Sequence, residues 1–446
     1  MDLLQNNQFN IESGSDKKMK SLNQKIFFAF VLTMPFTSGF AITGTISMPL
    51  IFAVILFLTM CFHFLFIRNV SKDFLGFDVF IVALFLVAVI FSFIINGLGS
   101  TKSLNHTIAY ISSFLLFYVT IKFHLFELKN REKVVKKVLS LLTITTLGTA
   151  IFANIEFISD NLFGFNLNDY IPRPSAEEMF YQAGVIDMFH RSRGFASESG
   201  GMAFMMELFT PLVIYYFYFS DLCKWNKWVK GIAVFFIGMS FLFAASTASF
   251  LIIPASFIIS SFVFLKKVFH YLKSRLTKVI IFTVLGSIFL VVLNYLFSIL
   301  FFIILSVSDK FDSVSFDDRK DRIDFFYEQS KHFNIINKII GAGPAGYQLL
   351  GFDDSKSIIS LYYNTIFEIG YLGFFLLMLL FIYVLIQTLR IRDAIGYFLL
   401  VSIIAGMMHF YISQCYWTPW FWFVVVFALF YYNYSKRIIQ SNSMAS

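Results

Sequence analysis

The chain consists largely of continuous apolar runs of about 20 residues, each long enough to cross a bilayer as one helix. Hydrophobic residues make up 58% of the sequence and charged residues only 14%, whereas a soluble domain carries about 25% charged residues. One soluble core cannot bury this much apolar surface, and a membrane β-barrel would show short segments of alternating polarity. The sequence therefore predicts an all-α polytopic membrane protein.

Twelve transmembrane helices are expected within a single transmembrane domain at residues 26–434, which is flanked by polar segments at 1–25 and 435–446. The expected spans are approximately residues 26–43, 47–67, 77–95, 107–125, 138–158, 202–219, 229–245, 249–265, 279–305, 358–386, 395–412 and 416–434. The runs at 279–305 and 358–386 exceed one bilayer thickness, so we expect those helices to be tilted, kinked or projecting beyond the membrane.

Lysines and arginines indicate how the spans are oriented. With the N-terminus in the cytoplasm and alternating sides, about two thirds of the 35 cations fall in inside loops, as the positive-inside rule requires. Both termini are then cytoplasmic, and two long polar loops, at 159–201 and 306–357, lie outside. Cations on the outer side need another reason, and an anionic ligand is a good one.

The first outer loop carries Arg191 and Arg193, followed by Gly194 and Glu198, and Ser199-Gly200-Gly201 then leads into an apolar helix. The planar guanidinium fork matches phosphate oxygens, and glycines close to a helix start let backbone N–H groups approach an anion. Glu198 is a candidate base, or it orients an arginine. The plainer alternative is a solvated loop with local ion pairs.

In the second outer loop, a helix is expected from residue 315 or 317 through about residue 338. Arg319, Arg322 and Phe326 would share one face of that helix because of their helical spacing. Two arginines on one face suit a diphosphate, and the alternative is that they pair with the aspartates beside them.

Residues beyond these arginines are candidates for supporting roles. His332 follows them, although a lone histidine is more often structural. Gly341, Gly343 and Tyr347 belong to a glycine-spaced stretch that predicts a tight turn, since it lacks the strand that a dinucleotide fingerprint requires. Glu368 lies inside an apolar run, where an ionisable group usually faces a polar interior. Alternatively, it is hydrogen-bonded to a neighbouring Tyr or Asn at the outer mouth.

The sequence holds no motif for a metal or a nucleotide, since it lacks HExxH, a Walker loop, GxSxG and a Cys or His cluster. We therefore expect no metal and no cofactor. Basic inside loops explain most of the net charge of +8, so that charge does not indicate a nucleic-acid partner.

The stretch Arg191-x-x-Gly194-Phe195-x-x-Glu198 resembles the Arg-x-x-Gly-Phe-x-x-Glu-Pro motif of the O-antigen polymerase and O-antigen ligase superfamily. These proteins are membrane glycosyltransferases whose folding plan is related to the GT-C class. The proline of that motif is Ser199 here. In these proteins, as in this chain, the motif precedes a transmembrane helix.

Two later stretches continue the resemblance in the same order. Arg322, an aromatic-rich helix and Gly341-x-Gly343 resemble the Arg-to-Gly-x-Gly segment of the large periplasmic loop in these enzymes. Glu368-x-Gly370 resembles the Glu-x-Gly stretch that follows it. Ligases of the superfamily carry a His-Asn pair shortly before that glutamate, and this chain has no histidine there, which favours a polymerase.

The resemblance implies a bacterial inner-membrane enzyme that joins undecaprenyl-diphosphate-linked oligosaccharide repeat units at the periplasmic face, producing O-antigen surface polysaccharide. Its partners would be the lipid-linked donor and acceptor, membrane lipid and a chain-length regulator. Under this hypothesis the diphosphate contacts are Arg191, Arg193, Arg319 and Arg322, and Glu198 accepts the proton of the acceptor hydroxyl. The alternatives are a ligase that transfers polymer to lipid A core and a lipid-linked oligosaccharide flippase.

Overall fold

A computed structural model of the chain describes residues 14–43, 46–66, 71, 73–167, 170–171, 190–271, 314–349 and 358–445. The described part is helical and contains no strand. Its helices, in chain order, are α1 (Gly14–Thr33), α2 (Met48–Phe66), α3 (Phe77–Ser92), α4 (Thr101–Ser112), α5 (Ile121–Glu127), α6 (Arg131–Phe163), α7 (Ser199–Ile214), α8 (Lys227–Ala244), α9 (Thr247–Tyr271), α10 (Val314–Lys331), α11 (Ile335–Ile340), α12 (Gly346–Leu349), α13 (Leu361–Arg390), α14 (Ala394–Ile412) and α15 (Pro419–Ala445). Wider π-helical turns extend α3 (Phe93–Gly97), join α4 to α5 (Ser113–Thr120) and extend α7 (Tyr215–Phe219).

Eight helical stretches of the described residues are long and apolar enough to cross a membrane, and each coincides with an expected span. They are Met48–Phe66, Phe77–Gly97, Thr101–Glu127, Arg131–Phe163, Ser199–Phe219, Lys227–Ala244, Leu361–Arg390 and Ala394–Ile412. A shorter apolar helix, Ala248–Phe264, coincides with a ninth. The expected spans at 26–43 and 416–434 fall on α1 and α15, and the span at 279–305 lies outside the described residues.

The first expected span is too long at its C-terminal end, because α1 ends at Thr33. The Thr33 hydroxyl donates to the carbonyls of Ala29 and Phe30, at 2.9 and 3.1 Å. Pro35 follows, and its backbone has no N–H to continue the helical hydrogen bonds. Residues 34–43 are therefore turns at the end of the bundle, and they take part in its loop packing.

Helix α15 forms the centre of the bundle, because every residue from 418 to 431 is buried. A helix that is apolar all round is expected in such an interior position. Tyr416, just before this range, is buried as well, as is Trp420 within it. From the sequence alone, an aromatic belt at the membrane surface would account for both residues equally well. The Trp420 indole donates to the Met34 carbonyl at 2.7 Å, so this aromatic cluster ties the start of α15 to the turn after α1.

The loops that carry the arginine motifs meet at one end of the bundle. The Gly39 N–H donates to the Phe195 carbonyl at 2.8 Å, and the Ser192 N–H donates to the Phe243 carbonyl at 3.0 Å. The Leu361 N–H donates to the Ser413 carbonyl at 3.3 Å, which joins the start of α13 to the α14–α15 turn. We call this end the motif face, formed by residues 34–43, 93–100, 190–198, 341–349 and 413–418.

The opposite end of the bundle holds a buried ion pair. Lys122 Nζ lies 2.6 Å from Asp78, and both side chains are almost fully buried. The Tyr118 hydroxyl donates to the same carboxylate oxygen at 2.6 Å. Arg131, on the neighbouring α6, pairs with Asp73 at 2.8 Å. The motif face and the end that holds Lys122 and Arg131 therefore lie at opposite ends of the same helices. The alternation of charged loops in the sequence predicts two such ends.

Candidate functional site

Helix α13 is interrupted at Gly370, whose backbone has φ +74° and ψ −174°. A residue with these angles breaks the helical hydrogen bonds of the turn before it, so carbonyls there need other partners. The Ala342 N–H donates to the Phe367 carbonyl at 2.7 Å, and the Gly343 N–H donates to the Glu368 carbonyl at 3.1 Å. The Ser92 hydroxyl also donates to the Glu368 carbonyl, at 2.6 Å. The glycine-spaced turn thus docks onto the break in α13.

Only glycine fits on both sides of this contact. Gly341 has φ +83° and ψ −179°, and a Cβ atom there would overlap the backbone of Glu368. A Cβ atom on Gly370 would overlap the carbonyl of Ile339. The Asn96 amide, in the π-helical turn after α3, donates to the Gly341 carbonyl at 2.8 Å. The tight turn expected from the sequence is therefore present, and a short helix, α12, follows it.

Glu368 is completely buried at this docking site and accepts hydrogen bonds from four groups. Its Oε2 accepts from the Tyr110 hydroxyl at 2.8 Å and from the Asn364 amide at 2.9 Å. Its Oε1 accepts from the Ala345 N–H at 2.7 Å and lies 3.2 Å from His106 Nδ1. Asn364 is the neighbouring asparagine that the sequence offered as a partner. The tyrosine comes from α4 instead of from the adjacent turn.

Electrostatic effects on two tyrosines outside the helices that span the membrane show what surrounds this carboxylate. Burial raises the pKa of Tyr347, the charge of Glu368 raises it further, and the positive charge of Arg322 opposes the increase. Burial also raises the pKa of Tyr416, and Glu368 adds to that effect. The Tyr416 ring stacks on Tyr110 with centroids 4.4 Å apart. Glu368 is therefore surrounded by phenol groups, and the charge of Arg322 acts on one of them, Tyr347.

The helix that carries Arg322 is shorter than the sequence predicts. Helix α10 ends at Lys331, and α11 is a separate helix whose start is capped by Asn334, which accepts from the Asn337 N–H at 2.8 Å. Phe326 is buried, as its predicted place on the Arg322 face of α10 suggests. The side chain of Arg319 lies outside the described part of the chain.

A second, smaller hydrophobic core holds this helix against the motif face. Its buried members are Phe326, Ala345, Tyr347, Ile358 and Phe367. Because these residues come from α10, the glycine-spaced turn and the start of α13, packing among them fixes the position of Arg322 relative to Glu368. The half-buried Arg322 is thus carried on a helix whose Phe326 packs in the same core as Tyr347.

A cleft of about 260 Å³ opens beside the glycine-spaced turn. Its lining comprises three amide side chains, one imidazole and one aromatic ring together with two small residues, namely Asn96, Gln329, His332, Phe333, Asn337, Ala342 and Gly346. The exposed His332 therefore faces a polar cleft and lies away from the Glu368 cluster. Amides donate and accept hydrogen bonds through one group, so this lining suits a neutral polyhydroxylated ligand.

In the first outer loop, the carboxylate of Glu156 organises the backbone around the arginines. Glu156 is buried on α6, and its Oε2 accepts from the Arg193 N–H at 3.0 Å and from the Gly194 N–H at 2.8 Å. These two backbone N–H groups, beside the arginine side chains, are therefore occupied by the protein's own carboxylate. Arg193 is buried and its guanidinium reaches the Ser197 carbonyl at 3.4 Å, so it shapes the loop.

Replacing Glu156 with alanine should loosen the first loop, because two buried N–H groups would lose their acceptor. An unsatisfied buried donor costs about 1–3 kcal/mol, so we expect a lower melting temperature and faster proteolysis within residues 190–198. Glu156→Gln keeps an acceptor oxygen and is the matched control. Equal melting temperatures for Glu156→Ala and the wild type would show that this bond pair contributes no stability.

Glu198 occupies the N-cap position of α7, but its side chain makes no capping hydrogen bond. It is partly exposed. Burial raises the pKa of the Cys415 thiol to about 12, and the negative charge of Glu198 contributes to the increase. Cys415 precedes Tyr416, which stacks on Tyr110. The charge of Glu198 therefore acts on the residue before Tyr416, and Tyr416 stacks on the tyrosine that is bonded to Glu368.

The structure brings together the residues that the sequence singled out, but around groups that the sequence did not. Arg191, Glu198 and Gly341 lie on the motif face, and Glu368 and the Arg322 helix pack against its glycine-spaced turn, although these residue numbers differ by as much as 177 positions. The groups that sequence reasoning missed are His106, Tyr110 and Glu156 on α4 and α6, and Tyr416. Two of them, His106 and Glu156, could have been noticed in the sequence, because charged or titratable residues within or next to an expected span usually face a polar interior.

His409 is a further buried group, in the last turn of α14. Its Nδ1 lies 2.9 Å from Glu207, which is fully buried on α7. The Ser249 hydroxyl donates to the same carboxylate from α9. This cluster ties three helices together below the motif face.

No family model matches the chain, and no curated protein matches it.

Proposed function

We propose that this protein is a membrane glycosyltransferase that polymerises oligosaccharide repeat units carried on undecaprenyl diphosphate. The observation that carries the proposal is that the Arg191 loop and the turn docked on the break at Glu368 lie at the same end of the bundle, where the small core around Phe326 also holds the Arg322 helix. The motif face would be periplasmic, since the opposite end holds most of the cations. This assignment makes the protein a multi-pass component of the bacterial inner membrane with both termini in the cytoplasm.

The chemistry that suits these groups is transfer of an anomeric carbon from a diphosphate to a hydroxyl. Negative charge grows on the departing diphosphate, and fixed donors stabilise it most strongly at that moment. Arg191 and Arg322 would supply these donors, because a guanidinium can bind two phosphate oxygens at once. The amide-lined cleft beside Gly346 would hold sugar hydroxyls. The apolar surface of the bundle would accept the polyprenyl chain from the membrane.

The test is chain growth by the purified wild-type protein in detergent, supplied only with a lipid-linked repeat unit. We expect products that carry two or more repeats, resolved as a ladder on a gel, without added metal or nucleotide. A flippase would need a sealed vesicle and would leave the glycan length unchanged. A ligase would leave single repeats on the lipid and would extend nothing until lipid A core was added. Either outcome would contradict the proposal.

A further inference from the structure

We propose that His106, held by the buried carboxylate of Glu368, is the group that accepts the proton of the attacking hydroxyl. The inference deepens the proposed function and rests on it. Nδ1 of His106 lies 3.2 Å from Glu368 Oε1, across 262 positions of sequence. The His106 side chain is 27% exposed, whereas that of Glu368 is 0% exposed. The imidazole therefore connects a fully enclosed carboxylate to the accessible motif face.

The hydrogen bonds of Glu368 fix the protonation pattern of the imidazole. Tyr110, Asn364 and the Ala345 N–H all donate to this carboxylate, so it serves as an acceptor towards His106 as well. The His106 Nδ1 then carries the proton in the neutral ring, and Nε2 is left with the lone pair. A carboxylate that orients a histidine in this way also stabilises the imidazolium that forms when Nε2 takes a proton.

The groups around His106 come from three elements. Lys102 lies one turn earlier on α4, and its positive charge opposes a second positive charge on the ring. The Tyr347 ring, from the start of α12, lies 6.0 Å away from the imidazole, edge to face. Glu368 reaches it from α13. The positive charge of Arg322 acts on Tyr347, so in this proposal the diphosphate that Arg322 holds lies on the Tyr347 side of the imidazole.

The step balances with these groups alone. The acceptor hydroxyl oxygen forms a bond to the anomeric carbon of the donor, and the carbon–oxygen bond to the diphosphate breaks. The electron pair of that bond leaves with the diphosphate, towards Arg322 and Arg191. The hydroxyl proton passes to Nε2 of His106, and Glu368 stabilises the resulting cation. In this assignment His106 is the catalytic base, Glu368 is a positioning residue, and Glu198 has no role in proton transfer.

The experiment is the rate of chain growth by reconstituted wild-type protein and variants across about pH 5 to 8, where a histidine titrates. We expect His106→Gln to lower kcat by about 10²-fold or more with little change in KM. The fall in wild-type rate at low pH should disappear in that variant. Glu368→Gln should alter the pH profile as well, because it changes the partner of Nδ1. Added imidazole should restore part of the rate of His106→Ala.

His190→Gln is the matched control, because His190 is a second histidine on the motif face and its side chain is exposed. It should keep the wild-type rate and pH profile. If the wild type lengthens glycans and His106→Gln retains both kcat and the pH profile, His106 is not the base while the proposed function stands. If His106→Ala is slow but keeps the wild-type pH profile and is not rescued by imidazole, its role is structural. Failure of the wild type to lengthen glycans would overturn the proposed function and this role together.

Discussion

Cells that carry Arg322→Ala should lose the long-chain glycan ladder and retain single-repeat product. The positive charge of the guanidinium acts on Tyr347, whose ring lies 6.0 Å from that of His106, and in the proposed reaction it would face the departing diphosphate. Removing one fixed donor from a developing anion typically slows a reaction by about 10²–10³-fold. Arg322→Lys should recover little of this loss, because an ammonium cannot bind two oxygens as a fork does. The measurement is glycan length on a gel at matched protein levels.

Lys320→Ala provides the control for this experiment. Lys320 lies on the same helix, is exposed, and carries the same charge. If Lys320→Ala shortens the glycans as much as Arg322→Ala, the effect comes from net charge in the loop and not from a contact with substrate. Arg191→Ala should resemble Arg322→Ala. An intact ladder in both arginine variants would remove these residues from the mechanism.

The largest effect on folding is expected from Gly341→Ala. Gly341 combines φ +83° with ψ −179°, a conformation that only glycine adopts readily, and its missing side chain leaves room for the Glu368 backbone. Alanine would cost about 1–3 kcal/mol in backbone strain and would also push the turn away from α13. We expect a reduced yield of folded protein and a clearly lower melting temperature. Activity should be lost because Ala345 would no longer bond to Glu368.

Gly99→Ala separates the two causes of this effect. Gly99 also has a positive φ of +95°, but a Cβ atom there would meet no neighbour within 4 Å. This variant should therefore show only the strain, with a smaller decrease in melting temperature. If Gly341→Ala and Gly99→Ala melt at the same temperature, the close approach of the turn to α13 contributes nothing to stability.

The transmembrane helices were predictable because their signal is local. An apolar run of sufficient length satisfies its own backbone hydrogen bonds as a helix, whatever its neighbours are. Eight helical stretches long and apolar enough to cross a membrane accordingly lie where the sequence predicted spans. The errors occur at helix ends, where a single capping or helix-breaking residue decides the outcome. Asn334 begins a new helix within the one predicted through residue 338, and the first predicted span continues past the actual end of α1 at Thr33.

The candidate site was predictable only in part. Arg191, Glu198 and Arg322 were identified by their residue type and their place in long polar segments between apolar runs, which are local properties. The glycine-spaced turn was also predicted, but its partner was not. Nothing near Gly341 in the sequence indicates that its backbone fits against Glu368 on another helix. The same limit applies to Glu156, whose two N–H donors lie 37 and 38 positions later in the chain.

By itself, the sequence determined the helical membrane architecture, the two arginine-bearing loops and the turn at Gly341, because hydropathy, charge and glycine spacing act over a few residues. The tertiary structure alone decided that Glu368 meets His106 and Tyr110, that Arg193 is enclosed, and that Tyr416 and Trp420 are buried. A carboxylate inside an apolar bundle must find donors wherever packing brings them. Its partners are therefore set by how the helices pack and cannot be read from the residues beside it.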